Sequence, residues 1–116
     1  MNKVLLLGRI VKKPEVRYTS EKEFPYLKFV LAVNRKYVKA TGERDADFVQ
    51  VVLWGKRSES IVESLSRGRL VNVIGKLRTG NYENKEGVKR FFAEVEAEQI
   101  NFLDTKEKRE EAEEVS

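Results

Sequence analysis

Histidine and cysteine are both absent from the 116 residues of this chain. Their absence excludes His-based general acid–base catalysis, Cys nucleophiles, disulfides, and zinc sites built from imidazole or thiolate. A chain without cysteine fits a cytosolic setting. No apolar run approaches the ~20 residues needed to cross a bilayer. The opening Met1-Asn2-Lys3-Val4 leads straight into a strand and has no secretory layout. Clustered carboxylates are scarce as well. Asp45 and Asp47 are the close aspartates ahead of the C-terminal tail, and they flank a turn and a strand start, where Asp serves the backbone. Two carboxylates alone make a poor cation site. Gly8 and Gly80-Asn81 belong to no phosphate-loop pattern, and Ser58, Ser60, Ser64 and Ser66 have no partner base. No metal, no cofactor and no enzymatic activity is expected.

What is present is charge, unevenly placed. Charged residues make up 36% of the chain, above the usual ~25%. Residues 1–103 carry 20 Lys/Arg against 13 Asp/Glu, whereas residues 104–116 carry 3 against 6. A basic body with an acidic tail favours a polyanionic partner for the body, although a solvated mixed-charge surface fits the same count. With 41% apolar residues, a single domain of this length can bury its own core.

Lys3 to Val11 reads as a first strand, and its continuous Val4-Leu5-Leu6-Leu7 predicts cover on both faces. Pro14 interrupts it, and Val16-Arg17-Tyr18-Thr19 resumes an extended path before a polar turn from Ser20 to Pro25. Tyr26 to Lys36 alternates Leu27, Phe29, Leu31 and Val33 with Lys28, Val30, Ala32 and Asn34, which predicts a strand. A third strand runs from Asp47 to Trp54. A short helix follows, with Ser58 or Ser60 as its cap, an apolar stripe of Ile61, Val62 and Leu65, and Gly68 to end it. Leu70 to Leu77 is the fourth strand, and Asn81 to Gly87 forms a long hairpin tip. In the fifth strand Phe91, Ala93, Val95 and Ala97 oppose Glu94, Glu96 and Glu98. Ile100 and Phe102 break that parity, which predicts a bulge near Gln99. The fold class is therefore mainly β. Three strands, one short helix between strands 3 and 4, and a long hairpin between strands 4 and 5 are the order of a five-stranded oligonucleotide-binding (OB) barrel, an order other small α+β folds share. The barrel domain is expected over residues 1–104, with 105–116 a charged, disordered tail.

The aromatic residues carry the functional signal. In Phe48-Val49-Gln50-Val51-Val52-Leu53-Trp54, period-2 alternation puts Val49, Val51 and Leu53 on one face and Phe48, Gln50, Val52 and Trp54 on the other. Trp54 alone would more often be a packed core ring. Phe48 beside it, with Gln50 between, favours a surface that receives something flat. Tyr37 and Tyr82 stand at the ends of other strands, near Arg35, Lys36 and Arg78, while Lys56 follows Trp54 and Arg67 lies past the helix. Rings beside cations suit an unstacked nucleic acid strand, with bases on rings and phosphates on Lys or Arg. Phe24, Phe29, Phe91, Phe92 and Phe102 are read mainly as core or rim packing, Phe92 having the wrong parity for the core.

Taken in order, Asn2-Lys3-Val4 through Gly8-Arg9, Pro14-Glu15-Val16-Arg17-Tyr18, Leu31-Ala32-Val33-Asn34-Arg35, Thr41-Gly42-Glu43, Asp47-Phe48, Val51-Val52-Leu53-Trp54-Gly55-Lys56, Gly75-Lys76-Leu77-Arg78-Thr79 and Asn81-Tyr82-Glu83-Asn84 resemble the bacterial single-stranded DNA-binding proteins, over residues 2 to 104. The resemblance implies an OB barrel, a homotetramer, and a cytoplasmic, nucleoid-associated protein that coats and protects single-stranded DNA in replication, recombination and repair without sequence preference. It implies base-stacking positions at Tyr37, Phe48, Trp54 and Tyr82, and backbone contacts at Arg35, Lys56, Arg67 and Arg78; Lys36 joins these by its place beside Tyr37. Two departures stand out. Gly80 and Asn81 occupy positions where some members carry basic residues. The acidic tip ending in Pro-Phe, through which the family recruits other proteins, is missing where the chain stops at Val115-Ser116, so recruitment by that route is not expected. A truncated chain and a naturally short paralogue both fit that ending. Three other readings use the same barrel: a protein-interaction or assembly module, an RNA binder, and a nuclease, the last of which needs a carboxylate-bound metal.

Overall fold

Alternating apolar residues on two long neighbouring strands build the interior. The computed structural model describes residues 1–42 and 44–103, with backbone alone for Tyr37, Val38 and Arg44. The expected tail at 105–116 lies outside the described residues. The strands are β1 (Val4–Ile10), β2 (Val16–Tyr18), β3 (Pro25–Val38), β4 (Arg44–Trp54), β5 (Leu70–Glu83) and β6 (Lys89–Phe102), and a helix, α1 (Arg57–Ile61), follows β4. In order around the sheet they run β1-β5-β6-β4-β3-β2, and a second pairing of β1 with β3 closes the barrel. The short β2 pairs with the start of β3 alone, so the closed wall has the strands of an OB barrel, as the element order predicts. All pairings are antiparallel except β4 with β6, where Val51 meets Val95 and Val52 meets Glu96.

Leu27, Phe29 and Leu31 of β3, Val51 and Leu53 of β4, Val71 and Val73 of β5, and Val95 and Ala97 of β6 fill the centre with Ile10 and Leu65. Leu65 arrives from the helical segment and plugs one end of the barrel, with Ile61 and Val62 packed more loosely beside it. The bulge expected near Gln99 falls one residue earlier. Ile74 pairs with Gln99 and Gly75 with Ala97, which leaves Glu98 unpaired. The surplus residue returns Ile100 and Phe102 to the core side, where both pack against the interior. Gly75 is required here, since a Cβ would sit 2.1 Å from the Glu96 carbonyl oxygen. Arg57 of α1 secures the same spot by donating to the carbonyls of Ala97 and Glu98.

Four local expectations need correction. The helix is short, five residues and then a 3-10 turn over Val62–Ser64, and its N-cap is Lys56. Ser58 therefore lies inside it, fully buried, donating to the Gly55 carbonyl. Gly68 does adopt a left-handed φ of 83°, but it closes the turn back onto Ile10 after the helix has ended. On β1, Val4 and Leu6 are partly buried while Leu5 and Leu7 are 68% and 54% exposed, so a single chain covers one face of this strand. Phe91, expected with the core-facing set, is 77% exposed. Its strand has by then left the barrel: β1 stops opposing β5 at Gly75, β4 stops opposing β6 at Val95, and beyond Leu77 and Val95 β5 and β6 continue as an arm with which no other described strand pairs. The fourth concerns Val52, which has outward parity and yet is completely buried, because β4 is flanked on both sides and the ion pair between Lys28 on β3 and Glu94 on β6 spans it.

Candidate nucleic-acid interface

Cross-strand register decides which side chains share the outer surface. Residues directly opposite on antiparallel strands point the same way. Tyr26 faces Trp54, Lys28 faces Val52, Val30 faces Gln50 and Ala32 faces Phe48. Across the barrel seam Val52 meets Glu96, which faces Lys76, and along the arm Glu94 faces Arg78, Phe92 faces Gly80 and Arg90 faces Tyr82. One continuous outer face thus carries Phe48 and Trp54 on β4, Tyr26 on β3, and Phe92 and Tyr82 on the arm.

Phe48 and Tyr82 are 68% and 56% exposed. Small Ala32 opposite Phe48 leaves its ring open to water. Trp54 is half-buried and is absent from the interior cluster. Its contacts are aromatic: Tyr26 lies tilted at 4.8 Å between centroids, and Phe24 stacks at 6.3 Å with 22° between planes. Half-open rings held by other rings are stiff, so a base landing on them costs little ordering. The ring of Tyr37 lies outside the described residues; its backbone forms the last but one residue of β3.

The cations divide into two groups. Arg35 gives both Nε and Nη2 to one carboxylate oxygen of Asp47, at 3.1 and 2.8 Å. That hydrogen bond holds the Asp47 carboxyl below the usual carboxylate range against a smaller effect of desolvation, and holds the guanidinium above its own ordinary value. Arg78 pairs with Glu96 at 3.1 Å. Both must give up a partner before meeting a phosphate. Lys36, Lys56 and Arg67 are exposed and, among the described residues, form no ion pair. Lys56 stands two residues past Trp54 at the start of α1. Arg67 sits on the loop before β5, next to Gly68, which is tied to the end of β1, so no strand register joins it to the ringed face. The structure therefore brings together Phe48, Trp54, Tyr82 and Arg78, places Lys56 beside Trp54, and sets Arg67 apart.

Three further rings belong near this face: Tyr26, to which sequence reading assigned no role, and Phe92 and Phe24, which it assigned to core or rim packing. Tyr26 was legible, since it has the parity of Lys28 and opposes Leu27. Phe92 carried its signal in wrong core parity: its ring lies over Gly80, where a Cβ would come within 2.5 Å of Cζ. Phe24 gave none, being inside a turn. Among the described residues no group of three or more Asp or Glu could hold a metal ion, and no helix is long and apolar enough to cross a membrane.

A closed OB barrel with open rings on one outer face is the architecture of an oligonucleotide-binding protein. Comparison with known proteins narrows this class. The profile of the Single-strand binding protein family matches residues 1–103. Similar curated proteins include Single-stranded DNA-binding protein 3 of Clostridium acetobutylicum, 40% identical over 104 residues, covering 90% of this chain and 72% of that one. Single-stranded DNA-binding protein A of Bacillus subtilis is 43% identical over 106 residues, covering 91% and 61%. Single-stranded DNA-binding protein 1 of Staphylococcus aureus is 42% identical over 106 residues, covering 91% and 67%. The chain belongs to the single-strand binding protein family, a family of binding proteins and not of enzymes.

Proposed function

We propose that this chain binds single-stranded DNA without sequence preference, and that it coats and protects exposed strands during replication, recombination and repair. Bases stack on Tyr37, Phe48, Trp54 and Tyr82, and phosphates meet Lys36 and Lys56 first, then Arg35 and Arg78 once their carboxylate partners are displaced, with Arg67 as an outlying contact. The observation that carries the reading is the pairing of an open Phe48 with a half-open Trp54 on one outer barrel face. Every base has a π-face, so stacking is tolerant of sequence. No catalytic step is part of this function, and its setting is the bacterial cytoplasm.

The protein acts as a homo-oligomer, a tetramer in the family's manner. Leu5 and Leu7 support this, because two leucines side by side on an outer strand face are surface that a second copy can cover. Titration with oligo-dT tests the binding: Trp54 fluorescence is expected to quench, and affinity to fall with salt at a log–log slope near −0.7 per phosphate neutralised. No quenching at low salt, or a flat salt response, would reject the reading. Competition with a matched RNA oligomer separates DNA from RNA, and light scattering with and without oligo-dT reads the assembly.

A further inference from the structure

Phe24 occupies a turn that is built with unusual care. Thr19 holds it from three directions: its N–H donates to the Phe24 carbonyl at 3.0 Å, its Oγ1 accepts from the Phe24 N–H at 3.0 Å, and its carbonyl accepts from the Glu23 N–H at 2.9 Å. Glu23 takes a φ of 50°, the one non-glycine residue of positive φ among the described residues. That conformation is disfavoured for a residue with a Cβ, and such outliers persist where the surroundings over-determine them. The side chain this turn aims is the Phe24 ring. It lies nearly parallel to Trp54 and remains 47% exposed. A ring placed only to seal Trp54 would hide more of itself than that.

The surroundings suit a nucleotide. Register lines up Arg17 on β2, Tyr26 on β3 and Trp54 on β4 in a single row across the outer face, a cation followed by two rings. Beside Phe24 opens a hollow of about 660 Å³ lined by Thr19, Ser20, Glu21, Lys22 and Phe24 itself. The hollow is shallow and open to solvent, so it can receive one base of a longer strand without enclosing it. We infer that Phe24 forms an additional base-stacking subsite: the strand leaving Trp54 continues over the β2–β3 turn, one base resting on the open face of Phe24 and its flanking phosphates meeting Arg17 and Lys22. This rests on the single-stranded DNA reading above and lengthens the track by one ring beyond Trp54.

Photo-crosslinking of the unaltered chain to oligo-dT carrying 5-iododeoxyuridine, followed by peptide mapping, tests it without a variant. Attachment at Phe24 is expected, and attachment confined to the other rings would overturn the subsite. Phe24→Leu supplies the affinity arm, since leucine keeps apolar contact with Trp54 but offers no ring to a base. It should bind oligo-dT about five- to tenfold more weakly, at the low end of what one stacked base supplies, with the unfolding midpoint of the free protein unchanged. Parent-like affinity in that variant would make Phe24 a packing partner and nothing more. Failure of the parent chain to bind oligo-dT overturns both readings together, and is seen before any variant is made.

Discussion

The barrel wall and the β5–β6 arm are the same two strands in different company. Inside the barrel, Val71 and Val73 of β5 and Val95 and Ala97 of β6 are buried. The alternation continues through Leu77, at the base of the arm opposite Val95, to Phe91 on the arm itself, yet both are exposed. The change comes where β1 runs out. Val4 is its last residue paired to β5, and the Asn2 side chain extends the edge by exchanging two hydrogen bonds with the Leu77 backbone. Past Leu77 and Val95, where β4 also leaves β6, no other described strand pairs with the hairpin. Period-2 alternation thus specifies a face, and burial of that face requires an opposing layer.

Substitutions that treat the two regions alike should separate them sharply. Leu53→Ala in the wall, where the side chain is fully buried, is expected to cost about 2–5 kcal/mol of stability by denaturant unfolding. Phe91→Ala on the arm should fall within about 0.5 kcal/mol despite the larger side chain removed. A large loss there would mean that another layer covers the arm in solution. Glycines give the next contrast. Gly75→Ala drives a Cβ into the Glu96 carbonyl and should cost about 1–3 kcal/mol. Gly80→Ala meets only the Phe92 ring, which is free to swing outward. Its thermal midpoint should barely move. For function the order reverses: Phe48→Ala should leave stability nearly unchanged while weakening oligo-dT binding by about 1–3 kcal/mol. Unfolding of that variant would assign the ring to the core.

The smallest effect belongs to the Arg35–Asp47 pair. Its contribution to stability is present above the ordinary carboxylate range, where Asp47 is ionised in both states. It fades as pH falls through the depressed folded value. Asp47→Asn leaves Arg35 with no carboxylate to displace and should strengthen oligo-dT binding at low salt. Unchanged affinity would place Arg35 off the path of the strand.

Much of this was legible beforehand because strand parity is local. The alternation of Leu27, Phe29 and Leu31, the outward turn of Phe48, and the slip that the Glu98 bulge creates all follow from counting residues along one strand. Cross-strand facts were hidden. Arg35 and Asp47, or Arg78 and Glu96, are brought together only by register, and Phe24 reaches Trp54 only because a turn folds it there. The Ser58 cap failed for a similar reason: the chain turns into α1 directly from Gly55, whose carbonyl takes the serine hydroxyl.

By itself the order of residues settled the class of fold, the outward turn of Phe48 and the exclusion of His and Cys chemistry, since each depends on neighbours along one strand or on residues being absent. The tertiary structure alone decided which aligned residues are covered, which cations are already neutralised, and that Tyr26 and Phe24 lean on Trp54. Those depend on distances between strands far apart in the chain, and such distances are set by closure of the barrel.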